Sequence, residues 1–187
     1  MNIIIFGPPG AGKGTQAKYL VRKLNSFQIS TGDMLRDEIK KDTEIGKKII
    51  NIMNDGKFVD DEIVNKLLKN IIFDPDKKNK LIFDGYPRTI SQIKNLENLL
   101  AKSNQTIKHI FFLNVGKDAI IKRIEKRKIL EKRSDDDEQT ILKRYDTYME
   151  NTKPVLDYYS KNKNFHEVDG AMEIADISSK IDQIIGV

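Results

Sequence analysis

The sequence predicts an α/β fold, a parallel sheet wrapped by helices on both faces, and three observations carry the prediction. Short apolar runs of strand length alternate with longer helical patterns. The first run, Ile3-Ile4-Ile5-Phe6, is apolar at every position, as a strand buried on both faces must be. A glycine-rich turn, Gly7 to Gly14, leaves that strand and leads straight into a helical pattern.

The elements follow in order. Strands are predicted at Ile3–Phe6, more weakly at Phe27-Gln28-Ile29, then at Leu81-Ile82-Phe83, His109 to Leu113 and Phe165 to Val168. Helical patterns lie between them at Thr15–Leu24, Asp33–Lys41, Glu44–Asp55, Asp60–Ile72, Ile90–Ala101, Lys117–Lys128, Asp136–Ser160 and Ile174–Ile185. The charged segment Glu125–Glu138 breaks the apolar periodicity and reads as a solvated loop. There is no internal repeat and no low-complexity linker.

Composition bounds the rest. The chain has 187 residues, the size of one domain, and 39% hydrophobic content, enough for a core. Its net charge is +5 and its surface is rich in Lys, which suits an anionic ligand. No dense basic block or RNA-binding aromatic signature is present, so nucleic acid is disfavoured. The absence of cysteine excludes disulfides and thiolate metal sites, zinc among them. No apolar stretch reaches membrane-spanning length, and the first apolar run is too short for a signal peptide. The expectation is a cytoplasmic, soluble monomer.

The turn has the build of a phosphate cradle. Glycines let successive N–H groups converge on one anion. The helix that follows adds positive potential, and Lys13 adds a point charge for terminal phosphates. The general motif puts Ser or Thr directly after the Lys; here Gly14 intervenes and the hydroxyl is Thr15.

Arginine usage points the same way. Against 26 Lys the chain holds only seven Arg: Arg22, Arg36, Arg88, Arg123, Arg127, Arg133 and Arg144. The guanidinium fork matches phosphate oxygens in a way an ammonium cannot. Arg123 and Arg127 are four apart and share one helix face. Asp84 ends the Leu81-Ile82-Phe83 strand, where a nucleotide-binding sheet places an acid near Mg²⁺; a turn cap is the simpler reading of that residue alone.

Four segments together resemble the adenylate kinase family: Gly-Pro-Pro-Gly-Ala-Gly-Lys-Gly-Thr at 7–15, Ser-Thr-Gly-Asp-Met-Leu-Arg at 30–36, Asp-Gly-Tyr-Pro-Arg-Thr at 84–89 and Arg-Ser-Asp-Asp at 133–136. The resemblance runs nearly end to end. It implies a P-loop NTPase-type core with a five-stranded parallel sheet and two mobile flaps. The core would be 1–29, 60–125 and 137–187, the monophosphate-binding flap 30–59 and the lid 126–136. It implies the reaction of ATP with AMP to give two ADP, with Mg²⁺ bound through nucleotide phosphates and water, near Thr15 and Asp84. It assigns Gly10, Ala11, Gly12, Lys13, Gly14, Thr15, Arg123 and Arg127 to ATP, with the Met172 backbone at the ATP base. It assigns Thr31, Arg36, Lys57, Phe58, Val59, Gly85, Tyr86, Pro87, Arg88 and Gln92 to AMP, and brings Arg133 and Arg144 to the AMP side of the transferring group. Lys13, Asp84, Arg88, Arg123, Arg133 and Arg144 would be the catalytic set.

The chemistry agrees. A phosphomonoester loses its second proton near pH ~6, so the acceptor oxygen is already ionised and no general base is needed. His109 and His166 flank apolar strand residues and read as structural. The reaction needs relief of repulsion between two polyanions, in-line alignment and exclusion of water. A Gln at position 92 offers the donor and acceptor that an adenine edge requires. The related UMP/CMP kinases carry Asn there and Ala where this chain has Thr31, so both positions favour AMP. A pyrimidine or relaxed monophosphate kinase is the alternative enzyme. A non-catalytic nucleotide-binding regulator and a basic nucleic-acid binder are the readings from other classes.

One departure matters. Only Lys-Ile-Leu-Glu-Lys separates Arg127 from Arg133, which resembles short-lid forms, but without their usual glycine. A lid that moves less freely is the expectation. Ser134-Asp135-Asp136-Asp137 reads equally as a helix N-cap with an acidic first turn.

Overall fold

The structure is a computed structural model that describes residues 1–131 and 138–187, leaving aside the side chains of 125–131, 138 and 141. Five parallel strands form one sheet: β1 (Asn2–Phe6), β2 (Phe27–Ser30), β3 (Leu81–Asp84), β4 (Ile107–Asn114) and β5 (Phe165–Asp169), in the order β2-β3-β1-β4-β5. From β1 the chain goes first to the edge strand β2, returns to lay β3 between them, and then crosses to the other side for β4 and β5. Ligand crevices open at such a reversal, beyond the carboxyl ends of the strands. Register brings Ile5 of β1 beside Asp84 of β3, so the acid stands next to the turn that leaves β1.

The helices are α1 (Lys13–Leu24), α2 (Thr31–Lys40), α3 (Glu44–Asn54), α4 (Asp61–Ile72), α5 (Ile90–Lys102), α6 (Lys117–Glu131), α7 (Glu138–Asn151), α8 (Lys153–Tyr159) and α9 (Ile174–Ile185). Alternate residues of β1 divide between two cores. Ile4 and Phe6 pack with Leu68 of α4, Leu96 of α5 and Val155 of α8. Ile3 and Ile5 pack with Leu20 of α1 and with Ile177 and Ile181 of α9. This two-sided burial is why the strand carries no polar alternation.

Two expectations need correction. The single helix read over Asp136–Ser160 is two, α7 and α8, parted at Thr152. Pro154 has no N–H to continue the ladder, and its ring clashes with the preceding turn, so it begins a new helix instead. The break frees the Thr152 hydroxyl, which donates to the Arg88 carbonyl at 3.2 Å. The charged stretch from Glu125 is not a loop at its start, because α6 runs on to Glu131. Glu, Lys and Arg are good helix formers, and loss of apolar periodicity alone does not stop a helix. The rest of that stretch, with Arg133 and the acidic cap reading of Ser134–Asp137, lies outside the described residues.

His109 and His166 meet across β4 and β5, Nδ1 to Nε2 at 3.2 Å. Burial pushes both imidazoles below their ordinary value; at His109 the facing His166 and then Lys108 add to it. The folded protein therefore disfavours the charged rings. Their contribution to stability is present above the unfolded value near ~6.5 and is lost as pH falls through the lower folded values. Acidification from about pH 7 to about pH 5 is expected to lower the melting temperature, and less so in the H109Q/H166Q double variant. An equal fall in both proteins would exclude the pair as the cause.

Candidate active site

The turn after β1 is shaped by backbone geometry. Gly10 and Gly12 have φ of 80° and 93°, the left-handed region. At Gly10 a Cβ would also lie 2.8 Å from Ile124 of α6. Gly12 stands before α1, and no side chain caps that helix or places an acid in its first turn. Its first N–H groups are thereby left for an anion. Lys13 Nζ donates to the carbonyls of Gly7 at 2.7 Å and Pro8 at 2.9 Å, which holds the ammonium over the loop.

Asp84 lies across from this loop, buried. Its Oδ2 accepts from Gln28 Nε2 at 2.9 Å. Burial raises its pKa, and Lys13 only partly offsets that. An under-compensated buried carboxylate beside an anion cradle suits a hard cation with oxygen ligands.

The arginines crowd. Arg88 donates from Nε to the Gly85 carbonyl at 2.7 Å, and its guanidinium lies 5.3 Å from the centre of the Phe58 ring. Its pKa is pushed down to about 10, by burial first and then by Arg144, with Arg36 contributing after the opposing pull of Asp84. Arg36 forms an ion pair with Asp33. Arg36 and Arg144 both press on the Arg88 charge, Asp84 relieves part of it, and a bound anion would relieve more.

One cleft of about 750 Å³ joins these parts. Every residue the sequence assigns to a nucleotide or to catalysis lines it except Arg127, whose side chain is not described, and Arg133, which lies outside the described residues. Its lining brings the loop residues Gly10 to Thr15, Arg123 and Met172 together with Thr31, Arg36, Lys57, Phe58, Val59, the segment Gly85–Arg88, Gln92 and Arg144. A Cβ on Gly14 would lie 3.4 Å from Asp84 Oδ2 and one on Gly85 3.4 Å from Lys13 Cε, so the loop and the turn after β3 meet there. Thr31 and Gln92 are buried, whereas Thr15 and Lys57 are exposed. The His pair does not line the cleft. Among the described residues, no three His, Cys, Asp or Glu side chains gather to hold a metal.

Sequence reading missed several contributors. Gln28 supports Asp84, and β2 was the weakest strand signal, although a polar residue inside it was the clue. Asp61 accepts from Gln92 Nε2 at 2.6 Å, a contact between α4 and α5 that no local pattern marks. Tyr148, one turn beyond Arg144, also lines the cleft.

Comparison with known proteins agrees with this geometry. The adenylate kinase family model matches residues 5–164. The chain is similar to an adenylate kinase of Pelagibacter ubique, 49% identical with all of both chains covered. It is 37% identical to those of Thermosipho melanesiensis, with 99% of each covered, and of Nocardioides sp., with 100% of this chain and 98% of the other covered. The first two alignments extend over 213 and 212 positions against 187 residues here, so those relatives carry insertions that this chain lacks. A loop that cradles anions, a pocket ringed by arginine and a buried acid thus coincide with full-length likeness, and the chain belongs to the adenylate kinase family, phosphotransferases that convert ATP and AMP into two ADP.

Proposed function

We propose that the two ends of the cleft divide the work, the loop end holding ATP and the Thr31–Gln92 end holding AMP. The observation that carries this reading is one cleft lined both by the glycine loop with Lys13 and by Arg36, Arg88 and Arg144, two anion-binding groups in a single cavity. Lys13, Arg123 and Arg127 act on ATP. Arg36 and Arg88 hold the AMP phosphate, and Arg133 and Arg144 neutralise the group in transfer. The AMP oxygen attacks as an anion, so the residues align, neutralise and exclude water, and hold no catalytic proton.

The oxygen donors at hand fit Mg²⁺: Asp84 directly or through water, and the Thr15 hydroxyl, with nucleotide phosphates completing its shell. Bound there, the ion would neutralise charge on the terminal phosphates. Chelation of Mg²⁺ is expected to abolish ADP formation.

The same reading gives residues 30–59 to a monophosphate flap, 126–136 to a short lid, and 1–29, 60–125 and 137–187 to the core. It takes the protein as a cytoplasmic monomer acting on small nucleotides. Among the described residues, no helix is long and apolar enough to cross a membrane. A coupled assay comparing AMP, UMP, CMP and dAMP tests base choice. AMP is expected to be the preferred acceptor by at least about tenfold in kcat/KM over UMP, in line with a fixed hydrogen-bonding edge. Equal use of UMP would move the enzyme to the pyrimidine branch.

A further inference from the structure

We infer that Asp61 fixes the polarity of the Gln92 amide, and thereby makes the acceptor end select an amino base edge over a carbonyl one. The inference rests on the reading above, in which Gln92 meets the base of the monophosphate.

A free glutamine can rotate its amide and offer donor and acceptor in either order. Here it cannot. The backbone N–H of Arg88 donates to Gln92 Oε1 at 2.7 Å. A backbone N–H never accepts. On the other side Gln92 Nε2 donates to Asp61 Oδ1 at 2.6 Å. A carboxylate only accepts. Two partners with one possible role each therefore leave a single orientation, with the oxygen toward Arg88 and the nitrogen toward Asp61.

Asp61 is itself held. It sits at the first position of α4, after the N-cap Asp60. Its Oδ2 accepts from the Ser91 hydroxyl, which also contacts Thr89 Oγ1 at 2.8 Å. Thr89 caps α5 by accepting from the Gln92 backbone N–H at 3.2 Å. The ring Thr89, Ser91, Asp61 and Gln92 thus ties the start of α4 to the start of α5. Behind it, Asn95 donates to Asn65 at 2.7 Å and spans the same two helices.

Gln92 lines the cleft and is 3% exposed. Each end of its amide has one bond committed, which leaves one N–H and one oxygen lone pair. That remainder complements an edge with an amino group beside a ring acceptor, as in adenine. It opposes an edge with a carbonyl beside a ring N–H, as in hypoxanthine or uracil. Asp61 touches no substrate in this account and is a positioning residue.

The test compares AMP with IMP, which differs at this edge by one amino-to-carbonyl exchange. For D61N, whose amide can donate as well as accept, only the Arg88 N–H still favours the original orientation, and the AMP/IMP ratio of kcat/KM is expected to fall severalfold, part of the roughly tenfold worth of one oriented hydrogen bond. KM for AMP should rise more than kcat falls. D61E, acceptor-only, should recover part of the ratio. A structural role alone would lower the melting temperature and leave the ratio unchanged, and that result would overturn the inference. Q92L separates the two layers. If Q92L keeps the parent ratio, the assignment of Gln92 to the base fails. If Q92L collapses the ratio and D61N keeps it, the role of Asp61 alone fails.

Discussion

Arg88→Met is expected to slow turnover by about 10²- to 10³-fold and, at the same time, to raise the melting temperature of the ligand-free protein by a few degrees. The first effect follows from position. The guanidinium stands in the cleft with Arg36 and Arg144 and would meet the phosphate that accepts the transfer. The second follows from its cost. A fall from an ordinary value of 12.5 to about 10 corresponds to roughly 3 kcal/mol of lost hydration and like-charge repulsion. Methionine keeps the apolar stem and can pack against Phe58. Losing the bond to the Gly85 carbonyl gives back about 1 kcal/mol. The remainder, about 1 to 2 kcal/mol, is worth a few degrees in a chain of this size. Arg88→Lys is the companion. It keeps the charge and loses the fork, so its rate should also fall sharply with no gain in stability. Thermal melts and a coupled ADP assay on both variants decide the matter. A Met variant that melts below the parent would remove the claim that ligand-free arginines repel here.

Gly46→Ala carries the largest expected loss of stability. A Cβ at this position would lie 2.2 Å from the Glu38 carbonyl oxygen, 2.6 Å from its carbon and 2.8 Å from Ile39 Cα. All three are backbone atoms of α2, so no side chain can swing away. The turn between α2 and α3 is already closed by Thr43, whose N–H reaches the Glu38 carbonyl at 3.2 Å and whose hydroxyl caps Gly46 N at 3.0 Å. The helices must separate, at a cost of about 3 kcal/mol or more by the measure of overpacked cores. The melting temperature should drop by roughly 6 to 12 °C. Because α2 carries Arg36, the surviving enzyme should show a higher KM for AMP with a smaller change for ATP. An unchanged melt would mean that α3 can slide freely on α2.

The parts of this molecule that sequence reveals are those whose cause is local. Ile3 to Phe6, the glycines after them and Lys13 form one uninterrupted stretch, and the same stretch builds strand, cradle and helix start. Asp84 was legible because it ends an apolar strand. Helix starts were less so: α2 begins at Thr31 rather than Asp33, since the Ser30 side chain caps from two residues earlier than expected. Pro154 was a local stop signal that the long helical pattern around it outweighed. The amide of Gln28 on Asp84, and the carboxylate of Asp61 on Gln92, depend on elements far apart in the chain. No pattern of neighbours records them.

The helix α7 is fastened to the chain at the end of α3. Thr140 Oγ1 donates to the Asn54 carbonyl at 2.9 Å, and Thr147 Oγ1 reaches the Gly56 carbonyl at 3.4 Å. A Cβ on Gly56 would lie 3.1 Å from the Thr140 carbonyl oxygen, so the two backbones meet with no side chain between them. The Thr147 hydroxyl donates chiefly to the Lys143 carbonyl at 2.8 Å within α7, so parting α3 from α7 costs the Thr140 bond and the close backbone approach at Gly56. The chain around Gly56 and the first half of α7 are therefore expected to shift as one unit, so a change in either is felt at Arg144, which lines the cleft.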